Sequence, residues 1–351
     1  MRLKNVMNIV TCHAEGAIGH VMTGGIGDVP GDTMFDKKQY FEKNLDHLRK
    51  LVLLEPRGGI MHSVNIVLPS HHPDAVLGYL IAETTQLPEM SGSNTICVAT
   101  VLLETGMVEM KEPQTELVLE SAAGLIQLSC SCQDGKVTGV TIVNQPAFVY
   151  EQDASIEIPG VGTLRTDIAW GGMAYAIIDA QDVGLRLTPD EDEEICRLGE
   201  IIKTAAAEQV SAVHPENPGF AGITQTMFTN PLRLDGDVLR SRNAVVVSPG
   251  YIDRSPCGTG TSARLALMHA RGQIDPGQTF VHESVIGTTF RSRIERLTTV
   301  GSFPAVVPSF TGQAWITGMS QVGLDPSDPF IEGFTLAALA SGECRTNLQK
   351  S

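Results

Sequence analysis

The sequence predicts a mixed α/β (α+β) fold, rich in antiparallel sheet and built as two similar domains. Three observations predict it: short β-like runs recur along the chain, helical patterns are few, and one helix-opening motif occurs twice. The 351 residues make about two domains' worth of chain.

The elements follow in order. Tyr40, Phe41, Leu45, Leu48 and Leu51 fall on one face of a helix from about Lys37 to Val52. Strands are expected at Val64–Leu68, Leu117–Leu119, Leu125–Cys132, Val137–Val143 and Val245–Val247. A second long helix is expected from about Asp190 to Val210, since acidic residues suit the positive end of a helix. The 35 glycines and 19 prolines are spread throughout, and no low-complexity segment or linker interrupts the pattern.

The repeated motif is Ser91-Gly92-Ser93-Asn94-Thr95 in one copy and Cys257-Gly258-Thr259-Gly260-Thr261 in the other. Each opens an apolar helical stretch and ends at a glycine 15 residues after its first member, Gly106 and Gly272. Read singly, Ser91 is an N-cap and both helices are core elements. The matched pair, with cysteine in one copy, points instead to two helices whose N-termini are the functional ends. Unpaired N–H groups there hold a carboxylate. Glycine after the first residue admits a ligand close to the backbone. At such a start a thiol pKa is expected to fall below about 8.5, favouring the thiolate. Two such helices gripping one carboxylate would suit proton abstraction from the adjacent carbon.

Composition excludes other classes. The net charge is −15, from 40 acidic and 25 basic residues, and no Lys/Arg-rich run offers a nucleic-acid surface. No segment approaches the roughly 20 apolar residues of a membrane helix, and Met1 to Val10 lacks the apolar core of a signal peptide. Seven cysteines, mostly isolated, suit a reducing cytoplasm. The nine histidines show no metal-ligand spacing, and His71-His72 reads as an exposed loop. Asp28 and Asp32 read as turn residues, and Gly258-Thr259-Gly260 lacks the third glycine of a dinucleotide loop. Cys12, Cys97, Cys130, Cys132, Cys196 and Cys344 are expected to be ordinary thiols, and Glu55 and Arg57 a structural pair.

Asp253-Arg254-Ser255-Pro256-Cys257-Gly258-Thr259-Gly260-Thr261-Ser262-Ala263 closely resembles the second catalytic motif of the proline racemase family, and Met90-Ser91-Gly92-Ser93-Asn94-Thr95-Ile96 resembles the first. Thr11–Gly16, Glu55–Gly59, Trp170–Tyr175 and Glu283–Gly287 fit the same family in order. The resemblance implies a fold similar to diaminopimelate epimerase: two domains, each a sheet wrapped round a central helix, with the site in the cleft between them. The implied domains are 1–145 with 322–351, around the Ser91 helix, and 146–321, around the Cys257 helix. It also implies a homodimer acting on a small molecule, hydroxyproline, with no metal, pyridoxal phosphate or nicotinamide. By the same resemblance Cys257 is an acid/base, Gly92, Ser93, Gly258 and Thr259 bind the substrate carboxylate, and Asp253 binds the ring nitrogen.

Ser91 stands where racemases and 4-hydroxyproline epimerases carry cysteine, and Ser93 where they carry histidine. Serine is a poor base unless a neighbour activates it. Elimination makes a different demand. In trans-3-hydroxy-L-proline the α-hydrogen and the 3-hydroxyl lie on the same ring face, so loss of water is syn and one thiol suffices. Family members resembling trans-3-hydroxy-L-proline dehydratase carry Thr or Ser at this position. The expected reaction is therefore dehydration to Δ1-pyrroline-2-carboxylate, with Ser91 as donor or positioner. The alternatives are a 4-hydroxyproline 2-epimerase using Ser91 as a second acid/base, a bifunctional enzyme, a proline racemase, or a non-catalytic binding protein. Retention of Cys257 in its motif argues against the last.

Overall fold

The computed structural model describes residues 3–335. Cys344 and the end of the expected 322–351 segment lie outside them. In chain order the elements are β1 (Lys4–Ala14), β2 (Ala17–Gly24), α1 (Met34–Asn44), α2 (Asp46–Leu53), β3 (His62–Leu68), β4 (Leu77–Ala82), α3 (Gly92–Glu104), β5 (Gln114–Ser121), β6 (Gly124–Gln133) and β7 (Lys136–Val143). They continue with β8 (Ala147–Ile158), β9 (Gly162–Trp170), β10 (Ala174–Asp179), α4 (Asp192–Gln209), β11 (Gln225–Thr229), β12 (Arg233–Asp235), β13 (Val238–Val247) and β14 (Tyr251–Ile252). The last are α5 (Gly258–Ala270), β15 (Phe280–Glu283), β16 (Thr289–Val300), β17 (Phe303–Gly312) and β18 (Ala314–Leu324). The described residues divide into two units: 3–141 with 313–335, and 142–312. Among the described residues no helix is long and apolar enough to cross a membrane.

In the first unit the strands run β18-β1-β2-β3-β4-β5-β6, with β2·β3 and β4·β5 parallel and the other pairs antiparallel. The two-residue period of β3 sends its side chains to opposite faces. Val64, Ile66 and Leu68 join Phe41, Leu48 and Leu51 in one core. Ser63 and Asn65 instead meet Asn94 of α3. The single helix expected from Lys37 to Val52 is two helices, because Leu45 leaves helical geometry at φ −124°, ψ 8°. Thr33 and Asp36 form a capping box at the start of α1.

In the second unit β8, β9, β10, β11, β13, β15, β16 and β17 pair in turn, and β17 closes back on β8. The closed barrel surrounds α5, which is buried from Gly258 to Met268. Alternation divides the strands between two helices. Ala169, Tyr175, Ile177, Met227 and Val245 pack with Cys257, Ala263 and Leu267 of α5. Their neighbours Ile168, Ala176, Phe228 and Val246 pack with Ile195, Leu198 and Ile202 of α4. Strands buried on both faces read as unbroken apolar runs, which is why Val245–Val247 was legible as a strand. Both motif helices stop as expected: Gly106 and Gly272 take left-handed φ values of 72° and 65°.

Candidate active site

The two helix starts belong to different units of the chain. Cys257 is the N-cap of α5, 8% exposed, with φ 64° and ψ 114°. A left-handed conformation costs a non-glycine residue about 1–3 kcal/mol, so the surrounding loop must enforce it. It does so through Asn243 Nδ2, which donates to Pro256 O at 2.7 Å, and Ser255 Oγ, which accepts from Cys257 N at 3.1 Å. Ser255 N and Oγ in turn donate to Asp253 Oδ1 at 2.9 and 3.0 Å. Gly258 and Thr259 occupy the first helical turn, where N–H groups have no intrahelical partner.

The Cys257 sulfur receives the Gly260 N–H at 3.4 Å and lies 3.4 Å from the Tyr175 hydroxyl and 3.7 Å from Thr259 Oγ1. Tyr175 and Thr259 hydroxyls are 2.6 Å apart. The lowered thiol pKa expected from the helix start is overturned. Burial, then the charge of Asp253, push the thiol up to about 12, against the Tyr175, Gly260 and Thr259 hydrogen bonds. Burial also raises the Asp253 carboxyl, and burial followed by Cys257 raises the Tyr175 phenol well above its usual value, so it stays a donor.

Nothing local in the sequence marks Tyr175 as a partner of the Cys257 sulfur. It ends the Trp170–Tyr175 segment, whose glycines follow from close packing. A Cβ on Gly171 would sit 2.1 Å from Thr259 O and 2.4 Å from Ala263 N, and Gly172 takes φ 114° against the Thr259 side chain. The β9–β10 turn thus abuts the first turn of α5. Gly171→Ala should destabilise the protein by about 3 kcal/mol, because backbone atoms cannot step aside. A urea midpoint unchanged from wild type would contradict this.

Ser91 is the N-cap of α3, in extended conformation and making no side-chain cap bond. Gly92 and Ser93 follow in the first turn. Asn94 Nδ2 donates to Ser91 Oγ at 3.0 Å, and Ser93 Oγ lies 3.4 Å away. Asn94 is held in turn: Asn65 Nδ2 donates to its Oδ1 at 2.8 Å, and Ser63 Oγ lies 2.7 Å from the same atom. Among the described residues no histidine, carboxylate or lysine hydrogen-bonds Ser91 Oγ. An amide can orient a serine but cannot take its proton.

Other expectations resolve simply. Arg57 pairs not with Glu55 but with Asp328 at 2.6 Å, and donates to Phe330 O and Leu51 O, because residues 313–335 return to this unit. His71 and His72 are exposed. Cys12, Cys97, Cys130 and Cys132 are buried free thiols, and Cys196 is partly buried. Among the described residues no three His, Cys, Asp or Glu side chains gather as a metal would need.

A family model described as Proline racemase matches residues 9–335. A hydroxyproline epimerase from Agrobacterium vitis, solved with bound trans-4-OH-L-proline, is 39% identical with a TM-score of 0.90, over 99% of each chain. A probable proline racemase from Agrobacterium radiobacter K84, solved with bound carbonate, is 39% identical with a TM-score of 0.87, over 95% of this chain and 97% of that one. A PhzF-family phenazine biosynthesis protein from Bacillus anthracis matches at 14% identity and a TM-score of 0.58, over 92% and 99%, a likeness of fold alone.

Proposed function

As the chain belongs to the proline racemase family, we propose that it dehydrates trans-3-hydroxy-L-proline without a cofactor, through Cys257. The observation that carries this reading is the contrast between the two helix starts. Ser91 Oγ is bonded by an amide and, among the described residues, by no base, whereas the Cys257 sulfur sits among proton donors. One competent acid/base suits syn elimination and not proton exchange between two faces.

In this reading Asp253 takes the charged ring nitrogen, while N–H groups of Gly92, Ser93, Gly258 and Thr259 take the carboxylate. The substrate cation offsets the Asp253 charge that opposes ionisation, so the thiol ionises on binding and its proton goes to solvent. The thiolate takes the α-proton, the C–H electrons form the ring double bond, and the C3–O bond breaks. The thiol returns the same proton to the departing hydroxyl, releasing water and Δ2-pyrroline-2-carboxylate, which tautomerises to the Δ1 form. Ser91 donates a hydrogen bond to the substrate. Tyr175 is a positioning residue for the sulfur. Tyr175→Phe should lower kcat/KM about tenfold and move the alkaline rise of the pH profile upward, because a donor to the thiolate is lost. A loss without a pH shift would assign Tyr175 a packing role only.

The 39% likeness to a hydroxyproline epimerase favours a second reading, in which Ser91 acts as a weak second acid/base. Two variants separate them. On the first reading Ser91→Ala keeps dehydration within about tenfold of wild type, and Ser91→Cys gains epimerisation of trans-4-hydroxy-L-proline. A Ser91→Ala variant whose wild-type epimerisation is abolished would decide for the second. Chiral chromatography reads both.

A further inference from the structure

Arg264 lies on α5 inside the barrel of the second unit and is 7% exposed. Its Nε has no hydrogen-bond partner, and no ion pair of the described residues includes it. A buried guanidinium without a partner is costly, so such a group usually faces something that completes it. It faces a cavity of 240 Å³ lined also by Asp167, Asp179, Arg271, Ile177 and Thr229.

The lining charges are not equivalent. Arg271 Nη2 donates to Asp167 Oδ1 at 2.8 Å and to Asp153 Oδ1 at 3.0 Å, and Asp153 N donates to the same Asp167 oxygen at 3.0 Å, so these groups hold one another. Asp179 uses only Oδ1, accepting from Gln181 N at 2.9 Å. Among the described residues Arg264 and Asp179 are therefore the lining cation and the lining anion that make no ion pair. The lining holds two arginines and two aspartates, so a simple anion would unbalance it. A molecule with both charges would not. The volume lies below the roughly 300–1,000 Å³ of pockets for larger ligands and suits a molecule of amino-acid size. Burial lowers the Arg264 pKa to about 10, with Asp167 the leading charge opposing that fall, so it is a cation at neutral pH.

We propose that this cavity is a second binding site for a small zwitterionic amino or imino acid, with the carboxylate on Arg264 and the ammonium on Asp179. The site is distinct from the Cys257 helix start. Arg264 is seven positions further along α5, about 10 Å at 1.5 Å per residue. It is nonetheless connected to that start. Ile177 follows Tyr175 by two residues on the same face of β10, and both belong to the core around α5. A ligand there braces the helix and the strand that position the sulfur.

The test is calorimetry on the full chain with glycine, acetate and methylamine as probes. Glycine should bind at least tenfold more tightly than either half-molecule. Arg264→Met and Asp179→Asn should each weaken glycine binding at least tenfold, whereas a glycine site should remain in Asp253→Asn. Asp179→Asn keeps the test alive if Arg264→Met fails to fold. The proposal is overturned if no probe binds, if acetate equals glycine, or if glycine binding is lost in Asp253→Asn and survives in the cavity variants.

Discussion

Replacing Cys257 with serine should lower kcat/KM for dehydration at least a thousandfold, about 4 kcal/mol of transition-state stabilisation. The expectation is this large because the proposed mechanism routes both proton transfers through one sulfur. The oxygen that replaces it would inherit the same burial and the same Asp253 charge that already raise the thiol, starting from a far less acidic group. The fold should survive, since the hydrogen bonds that set the left-handed conformation run through Asn243 and Ser255 and not through the sulfur. Purified Cys257→Ser protein with a wild-type melting transition and more than a few per cent of the activity would refute the assignment.

In the ligand-free protein, Cys257 should react with iodoacetamide at pH 7.5 roughly a thousandfold more slowly than an ordinary thiol of pKa about 8.5. The rate should climb about tenfold per pH unit towards the thiol's raised value near 12. Peptide mapping of the alkylated site reads this, and a rate already at its plateau at neutral pH would contradict it. The same shift has a consequence for stability. A thiol raised by folding stays protonated in the native state while its unfolded counterpart ionises. Its stabilising contribution is complete below about pH 8.5 and is lost as the pH rises towards 12. Cys130, raised to about 12 by burial and then by Cys132, and Tyr150, raised to about 12 by burial, act in the same direction. Urea midpoints should therefore fall between pH 8.5 and 12, and Cys257→Ser should fall less.

What could be read from sequence was local. The helix starts at Gly92 and Gly258 and their glycine stops at Gly106 and Gly272 follow from caps and left-handed turns. So do strands whose residues are apolar on both faces. What escaped was set by residues distant in the chain. Tyr175 reaches the Cys257 sulfur across 82 positions, and Arg57 finds Asp328 across 271. Asn94 stood inside the quoted motif, but its task depends on Ser63 and Asn65, which only the pleat of β3 brings to it. The sign of the Cys257 shift was missed for the same reason. The helix-start rule counts the Gly260 N–H, whereas burial in a closed barrel and the Asp253 charge come from tertiary structure and outweigh it. The break at Leu45 interrupts a continuous apolar pattern, so periodicity alone joined two helices into one.

The proposed reaction uses one acid/base where a racemase needs two. Its most direct test is to incubate the protein separately with trans-3-hydroxy-L-proline, trans-4-hydroxy-L-proline and L-proline in deuterium oxide, following α-deuteration and ketimine formation together. The predicted result is rapid ketimine formation from the 3-hydroxy isomer, with inversion and α-deuteration of the other two at least a hundredfold slower. Epimerisation of trans-4-hydroxy-L-proline as fast as the 3-hydroxy isomer is dehydrated would contradict it and make Ser91 a working acid/base.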